Sequence, residues 1–278
     1  MTDYSVLINS QLKTDIMNRV QEGYGLNISR NSELCAKNSE LKSVWNWLAW
    51  VEKTRGVPSG MISLIENSAQ SSPRQLGSRI VYESNERSKF LKLCGWAELG
   101  SMDDLEAICN NAIEEGNVER ATMLAVFHYN LAKARTILPS DYALSAVLHT
   151  VLDNEPHPQV KKLCLALSQQ AENPYLSATL TFLAGTEHHQ GTIDKLNSID
   201  RIGFCSRFYS EPELVEMLEK EVELAMSNGN LDALMICGAT ENGLQILEAY
   251  LKRTYDIQTV GLISAIISMK YETDKSTS

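Results

Sequence analysis

The sequence predicts an all-α chain, built as an irregular α-solenoid of stacked antiparallel helical hairpins, and three observations carry that expectation. Apolar residues recur at three- and four-residue spacing along most of the chain, the period of a helix with one buried stripe. Helix breakers are sparse, with 15 Gly and 7 Pro in 278 residues. The junctions also carry cap chemistry: a glycine ends one helix and an Asn or Ser accepts the first free amides of the next. No run of alternating β-branched residues is long enough to demand a strand.

Taken in order, residues 5–21 carry Val6, Ile16 and Val20 among polar neighbours, a weakly amphipathic opening helix. Leu41, Val44, Trp45, Leu48 and Val51 then lay one apolar stripe along a second helix. Residues 67–79 (NSAQSSPRQLGSR) break every period and are rich in Ser, which reads as a flexible surface loop separating N-terminal helices at 1–66 from a main solenoid at 80–269. Phe90, Leu91, Leu93, Cys94 and Trp96 form an apolar helix ending at Gly100, and Ser101 with Asp104 resembles a capping pair before Leu105, Ile108, Cys109 and Ala112. Asn117, after Gly116, opens a helix with Ala121, Leu124, Ala125 and His128 on one face. A further helix from Leu131 is closed by Pro139. Helices follow over 160–170 and, capped by Asn173-Pro174, over 174–184 up to Gly185. Ser210, Pro212 and Glu213 form a capping box that opens a helix with Leu214, Met217, Leu218, Val222 and Ala225. It ends at Gly229, and Asn230 caps 231–237. Helices over 243–253 and 257–269 close the array, and the polar residues 270–278 are expected to be a disordered tail. The Gly-Asn junctions at 116–117 and 229–230 echo each other as tight αα-hairpins, but no fixed period links them, so the stack is irregular.

Composition narrows the function classes. The net charge is −10, with acidic residues outnumbering basic ones 35 to 25, which argues against backbone neutralisation of a nucleic acid and against a polybasic membrane patch. No apolar stretch approaches the ~18–20 residues of a membrane span, and the first residues lack the basic and apolar regions of a signal peptide. Six cysteines, Cys35, Cys94, Cys109, Cys164, Cys205 and Cys237, form no C-x-x-C pair and sit mostly in apolar helical patterns, the pattern of buried thiols in a cytoplasmic chain.

Candidate chemistry is thin. Phosphate-cradling glycine loops and H-E-x-x-H are missing. His188-His189 is the most metal-like pair, yet adjacent residues of a helix project about 100° apart, and a solvated pair explains them. His128 and His149 lie in apolar helical stretches, where a hydrogen-bonded core histidine is the simpler reading, with a Cys–His nucleophile pair as the alternative. The six glutamates between Glu211 and Glu223 read as a solvated acidic face. Thus no catalytic, cofactor-binding or metal-ligating residue is assigned and no cofactor is expected. Trp47 and Trp50 fall off the Leu41/Trp45/Leu48 stripe, so each is either covered from the second side of an inner helix or an aromatic anchor for a partner.

Several words of the sequence resemble the Mios family. LKLCGW from Leu91, EEGNVERATMLAVFHYNLAKARTIL from Glu114, NPYLSATLTFL from Asn173, DRIGFCSRFYSEPEL from Asp200 and GNLDALMICGATENGLQILEAYLKRTYDIQTVGLIS from Gly229 occur in the family's order, and LKSVWNWL at Leu41 matches more loosely. Family members carry a WD-repeat β-propeller, an α-solenoid and a zinc-binding end, and they build the GATOR/SEA (Seh-associated) complex that promotes amino-acid signalling to the TOR kinase. The resemblance implies a non-catalytic scaffold segment, with Seh-type and other WD-repeat propeller proteins as partners, located in the cytoplasm and at the lysosomal surface. The sequence departs from the family pattern in having no room for a propeller and no C-x-x-C, so it is expected to be a solenoid-only piece or a short form without the zinc module. A vesicle-coat or nuclear-pore-like helical scaffold is the alternative of the same architecture. An all-helical enzyme with a Cys/His pocket is the alternative of a different class.

Overall fold

The computed structural model describes residues 13–14, 16–35, 39–54, 60–66, 71–76, 79–151, 156–185 and 190–277. The predicted opening helix is described at 13–14 and over 16–21; its residues 5–12 and 15, and His188 and His189, lie outside the described residues. Among the described residues the regular structure is helical apart from one small β-hairpin. Two compact units divide it: residues 1–69 with 215–278, and residues 70–214.

The first unit contains α1 (Ile28–Leu34), α2 (Ser39–Thr54) and α3 (Met61–Glu66), most of α13 (Glu211–Asn228), a 3-10 turn (Leu231–Ala233) leading into α14 (Leu234–Cys237), then α15 (Glu241–Thr254) and α16 (Ile257–Thr277). Helix α2 buries Leu41, Val44, Trp45, Trp47, Leu48 and Val51, which cover more than one stripe of its surface. It has to, because α1 packs on it from one side and the 3-10 turn with α14 from another. The chain ends meet here: Glu40 accepts from the backbone N–H of Leu231 (2.9 Å) and from Arg253 (2.8 Å), and Arg253 also donates to the Gly229 carbonyl. These ties explain why the segment before residue 67 joins residues 215–278 instead of standing apart as the sequence partition has it.

The second unit contains β1 (Ser72–Leu76), β2 (Arg79–Glu83), α4 (Asn85–Leu93), α5 (Met102–Glu114), α6 (Val118–Phe127), α7 (Leu131–Ile137), α8 (Ala143–Thr150), α9 (Pro158–Gln170), α10 (Pro174–Ala184), α11 (Gln190–Ile193) and α12 (Ser198–Phe208). Each helix from α5 to α10 packs on the next, and α10 packs back on α6. Those two are therefore inner helices: Ala121 to Phe127 and Ser177 to Ala184 are buried without a break, as a helix covered on all sides requires. Phe127, Phe182, Phe204 and Phe208 form the aromatic centre, with ring centroids 4.6–6.2 Å apart.

Three expectations are corrected. Part of the segment read as a flexible loop over 67–79 is a strand, because Ser72–Leu76 pairs antiparallel with Arg79–Glu83, Ser72 opposite Glu83 and Leu76 opposite Arg79. Pro73 is tolerated because both strands are edge strands. With Val81 as the one buried position in the pair, the apolar alternation that announces a strand is nearly absent; β2 is held by docking on α12 and α4 instead. The second correction is the tail, since α16 continues through Thr277, past Met269 along residues that include neither Gly nor Pro. The third is that His149 is exposed, in the last turn of α8.

Candidate functional site

Of the two tryptophans singled out, the structure separates one from the other. Trp47 is 1% exposed and sits in the core of its unit, so as a partner anchor it is corrected: its indole is already covered, because the helix is packed from two sides. Trp50, one turn on, is half-buried. The exposed Glu52 and Lys53 follow it. The neighbouring Trp45 is fixed rather than free. Its indole N–H donates to the Tyr24 hydroxyl (3.1 Å), its ring meets Tyr24 edge-on at 5.5 Å, and Tyr24 in turn bonds Thr259 (2.8 Å).

Behind that aromatic pair lies Asp256, the residue that opens α16. Its Oδ1 accepts from the Thr259 N–H (3.1 Å), an N-cap bond, and its Oδ2 accepts from Arg19 (2.6 Å), from the Thr259 hydroxyl and from Tyr250. Burial alone would raise the Asp256 carboxyl, but the Arg19 and Thr259 donors outweigh it and hold it below the ordinary value. The residue before it, Tyr255, takes the left-handed conformation (φ 59°), so the turn from α15 to α16 is a tight hairpin made without glycine.

The second unit has a counterpart, Asp200 in the first turn of α12, which is fully buried. Arg120 holds it with two bonds (2.7 and 2.8 Å), the Trp96 indole donates at 3.0 Å, Tyr175 at 3.2 Å, and its own amide is capped by Asn197. One carboxylate thus ties α6, α10, α12 and the turn after α4. Arg120 keeps a raised pKa: burial works against its charge, and the Asp200 carboxylate more than offsets that. Sequence reasoning did not find Asp200 or Asp256. Their signal is only an acidic residue in an apolar helical context, beside Asn197 in one case and after a left-handed Tyr in the other.

Among the described residues, His128 and the cysteines are set in the packing of their units. His128 faces the carbonyls of Leu124 (2.6 Å) and Ala97 (2.9 Å) with its two ring nitrogens. Burial, with the Arg207 guanidinium beside it, holds its pKa down to about 3, so at neutral pH it is an uncharged ring that donates to one of the two. All six cysteines are buried, and burial pushes the Cys109, Cys164 and Cys237 thiols up to about 11, far from the thiolate that a nucleophile needs. On α13, Glu213, Glu216, Glu219 and Glu223 are exposed, but Glu221 is buried, which corrects the reading of all six as one solvated face. Glu213 accepts from the Ser210 backbone and hydroxyl, closing the capping box, and Glu211 accepts from the Ser71 amide. Among the described residues no group of three His, Cys, Asp or Glu converges as a metal site would require. No described helix is long and apolar enough to cross a membrane. What this geometry does is fix helices against one another within each unit.

Comparison with known proteins agrees with that arrangement. The family described as MIOS, alpha-solenoid matches residues 59–208. The GATOR2 complex protein MIOS of Danio rerio is 28% identical over 190 residues, covering 64% of this chain and 22% of its own length. The GATOR2 complex protein Mio of Drosophila melanogaster is 24% identical over 270 residues, covering 92% of this chain and 28% of its own. The SEH-associated protein 4 of Saccharomyces cerevisiae is 28% identical over 199 residues, or 68% of this chain and 19% of its own. The chain thus spans well under half the length of these relatives.

Proposed function

This chain belongs to the MIOS alpha-solenoid family, and from that premise we propose that it is a non-catalytic scaffold segment that holds protein subunits of a GATOR2/SEA-type complex. The observation that supports this most is where the polar chemistry goes. Asp200, Asp256, His128 and Arg87 are spent on joining helices, and Arg87 donates to the Ser206 and Tyr209 carbonyls at the end of α12. Relatives are named as complex subunits and as SEH-associated, which supports Seh-type and other WD-repeat propeller proteins as the partners of this chain. Through them the segment serves amino-acid signalling to the TOR kinase from the cytoplasm and the lysosomal surface. Trp50 is the anchor we assign to such a contact, an aromatic residue that its own unit buries only in part.

Affinity purification of the tagged chain from cell lysate, with identification of co-purifying proteins, tests the proposal. Recovery of Seh-type or other WD-repeat subunits is expected. A folded, helical sample that recovers neither would contradict the scaffold reading for this segment.

A further inference from the structure

The second unit contains a cleft lined by Arg79, Tyr129, Lys161 and Phe182, with Val126 and Leu183 among its apolar walls. Its charged side chains, Arg79 and Lys161, are both cationic, and no described carboxylate lines it. Arg79 stacks its guanidinium on the Phe182 ring at 4.0 Å and donates to the Phe182 carbonyl (2.7 Å). Lys161 approaches the same helix end at Gly185 and makes no ion pair with a described carboxylate. The third donor is the Tyr129 hydroxyl, which is buried and has no hydrogen-bond partner. Burial keeps that phenol protonated, while Arg79 and Arg207 both act on it electrostatically. Tyr129 is held in place: its backbone takes the left-handed conformation (φ 59°) in the turn from α6 to α7, a conformation that costs an L-residue about 1 kcal/mol or more, and its amide bonds the Val126 carbonyl.

We propose that this cleft binds a compact oxyanion, a carboxylate or a phosphate, between the Tyr129 hydroxyl, Lys161 and Arg79. In a chain with net charge −10, a concavity walled by two cations and an unsatisfied phenol is the local exception, and an anion supplies the acceptor that the buried hydroxyl lacks. The cleft has room for little more than one small polar group, which fits the end of an acidic side chain or a phosphate and excludes a large ligand. This inference is independent of the scaffold reading, because the donors are present whichever partners the helices hold.

Thermal melting of the purified chain at constant ionic strength, with chloride replaced in one series by inorganic phosphate and in another by acetate, tests it. Phosphate, acetate or both should raise Tm by about 2–4 °C at saturation, and the rise should vanish in Tyr129→Phe and Lys161→Met. A rise with acetate identifies carboxylates as ligands, and one with phosphate alone identifies phosphate. Tyr129→Phe should melt at or above the parent temperature without added anion, since it removes an unpaired buried hydroxyl. No rise, an equal rise in the variants, or a Tyr129→Phe protein that melts lower in the chloride buffer would overturn the proposal.

Discussion

In the unit formed by residues 1–69 and 215–278, backbone comes unusually close to backbone, whereas the unit of residues 70–214 is joined by rings and buried charge. A Cβ at Gly60 would collide with the Ile236 carbonyl, one at Gly229 with the Tyr250 amide, and one at Gly243 with the Gly238 carbonyl. In the second unit the corresponding close approach is Gly203, whose Cβ would lie 2.6 Å from the Trp96 indole, a side chain rather than a backbone. Each unit also has one carboxylate that gathers an Arg and a Tyr. Asp200 and Arg120 are 0% and 16% exposed, while Asp256 and Arg19 are 6% and 33% exposed. The lesson is that equivalent networks carry unequal weight. The drier one leaves a more costly charge behind when it is broken, and the wetter one lets water replace the missing partner.

The largest effect should follow from Asp200→Asn. It leaves Arg120 buried without its counter-charge and should cost about 4 kcal/mol, read as a lowered urea midpoint. Gly229→Ala comes next, at about 3 kcal/mol, since it combines left-handed strain with a backbone collision. Gly116→Ala has the same strain (φ 80°) but meets nothing within 4 Å, so it should cost only about 1 kcal/mol. Equal melting temperatures for the two glycine variants would break the contrast drawn for the first unit.

His128 makes the second unit acid-sensitive. Its folded pKa, about 3, lies below the unfolded value of about 6.5. The unfolded chain therefore binds the proton first, and stability falls as pH drops from about 6.5 toward 3. The loss should reach about 2 kcal/mol at pH 5, and His128→Gln should remove that part of the pH dependence in parallel denaturation curves at pH 7 and 5. Asp256→Asn should cost less, about 1–2 kcal/mol at neutral pH. Because its carboxyl is held below the ordinary value, its contribution is present above about pH 4 and is lost as pH falls through the folded pKa. The difference between parent and variant should shrink in that acid range. Trp50→Ala is expected to change stability least, by about 1 kcal/mol or less, while reducing capture of propeller subunits.

The sequence made most of the helical array legible, because periodic apolar residues and caps are local signals. Gly116-Asn117, Asn173-Pro174, Gly229-Asn230 and Ser210 through Glu213 mark junctions where the structure has them. Two further hairpins, Tyr129-Asn130 and Tyr255-Asp256, use the same left-handed residue followed by a capping Asn or Asp, but a tyrosine carries no turn signal and tertiary packing has to impose the conformation. The β-hairpin was hidden because one of its ten positions is buried. Trp47 could not be told from Trp50 on a helical wheel, since α2 packs on α14 and the 3-10 turn, elements nearly two hundred residues away. The donor-lined cleft was out of reach for the same reason: Arg79, Tyr129 and Lys161 lie on three elements that share no local pattern.

The most direct test of the scaffold account is size-exclusion chromatography of the purified chain mixed with a purified Seh-type propeller, repeated with Trp50→Ala. The account predicts one co-migrating complex with the parent chain and a weakened or absent one with the variant. Separate migration of two folded proteins, with the parent as with the variant, would contradict it.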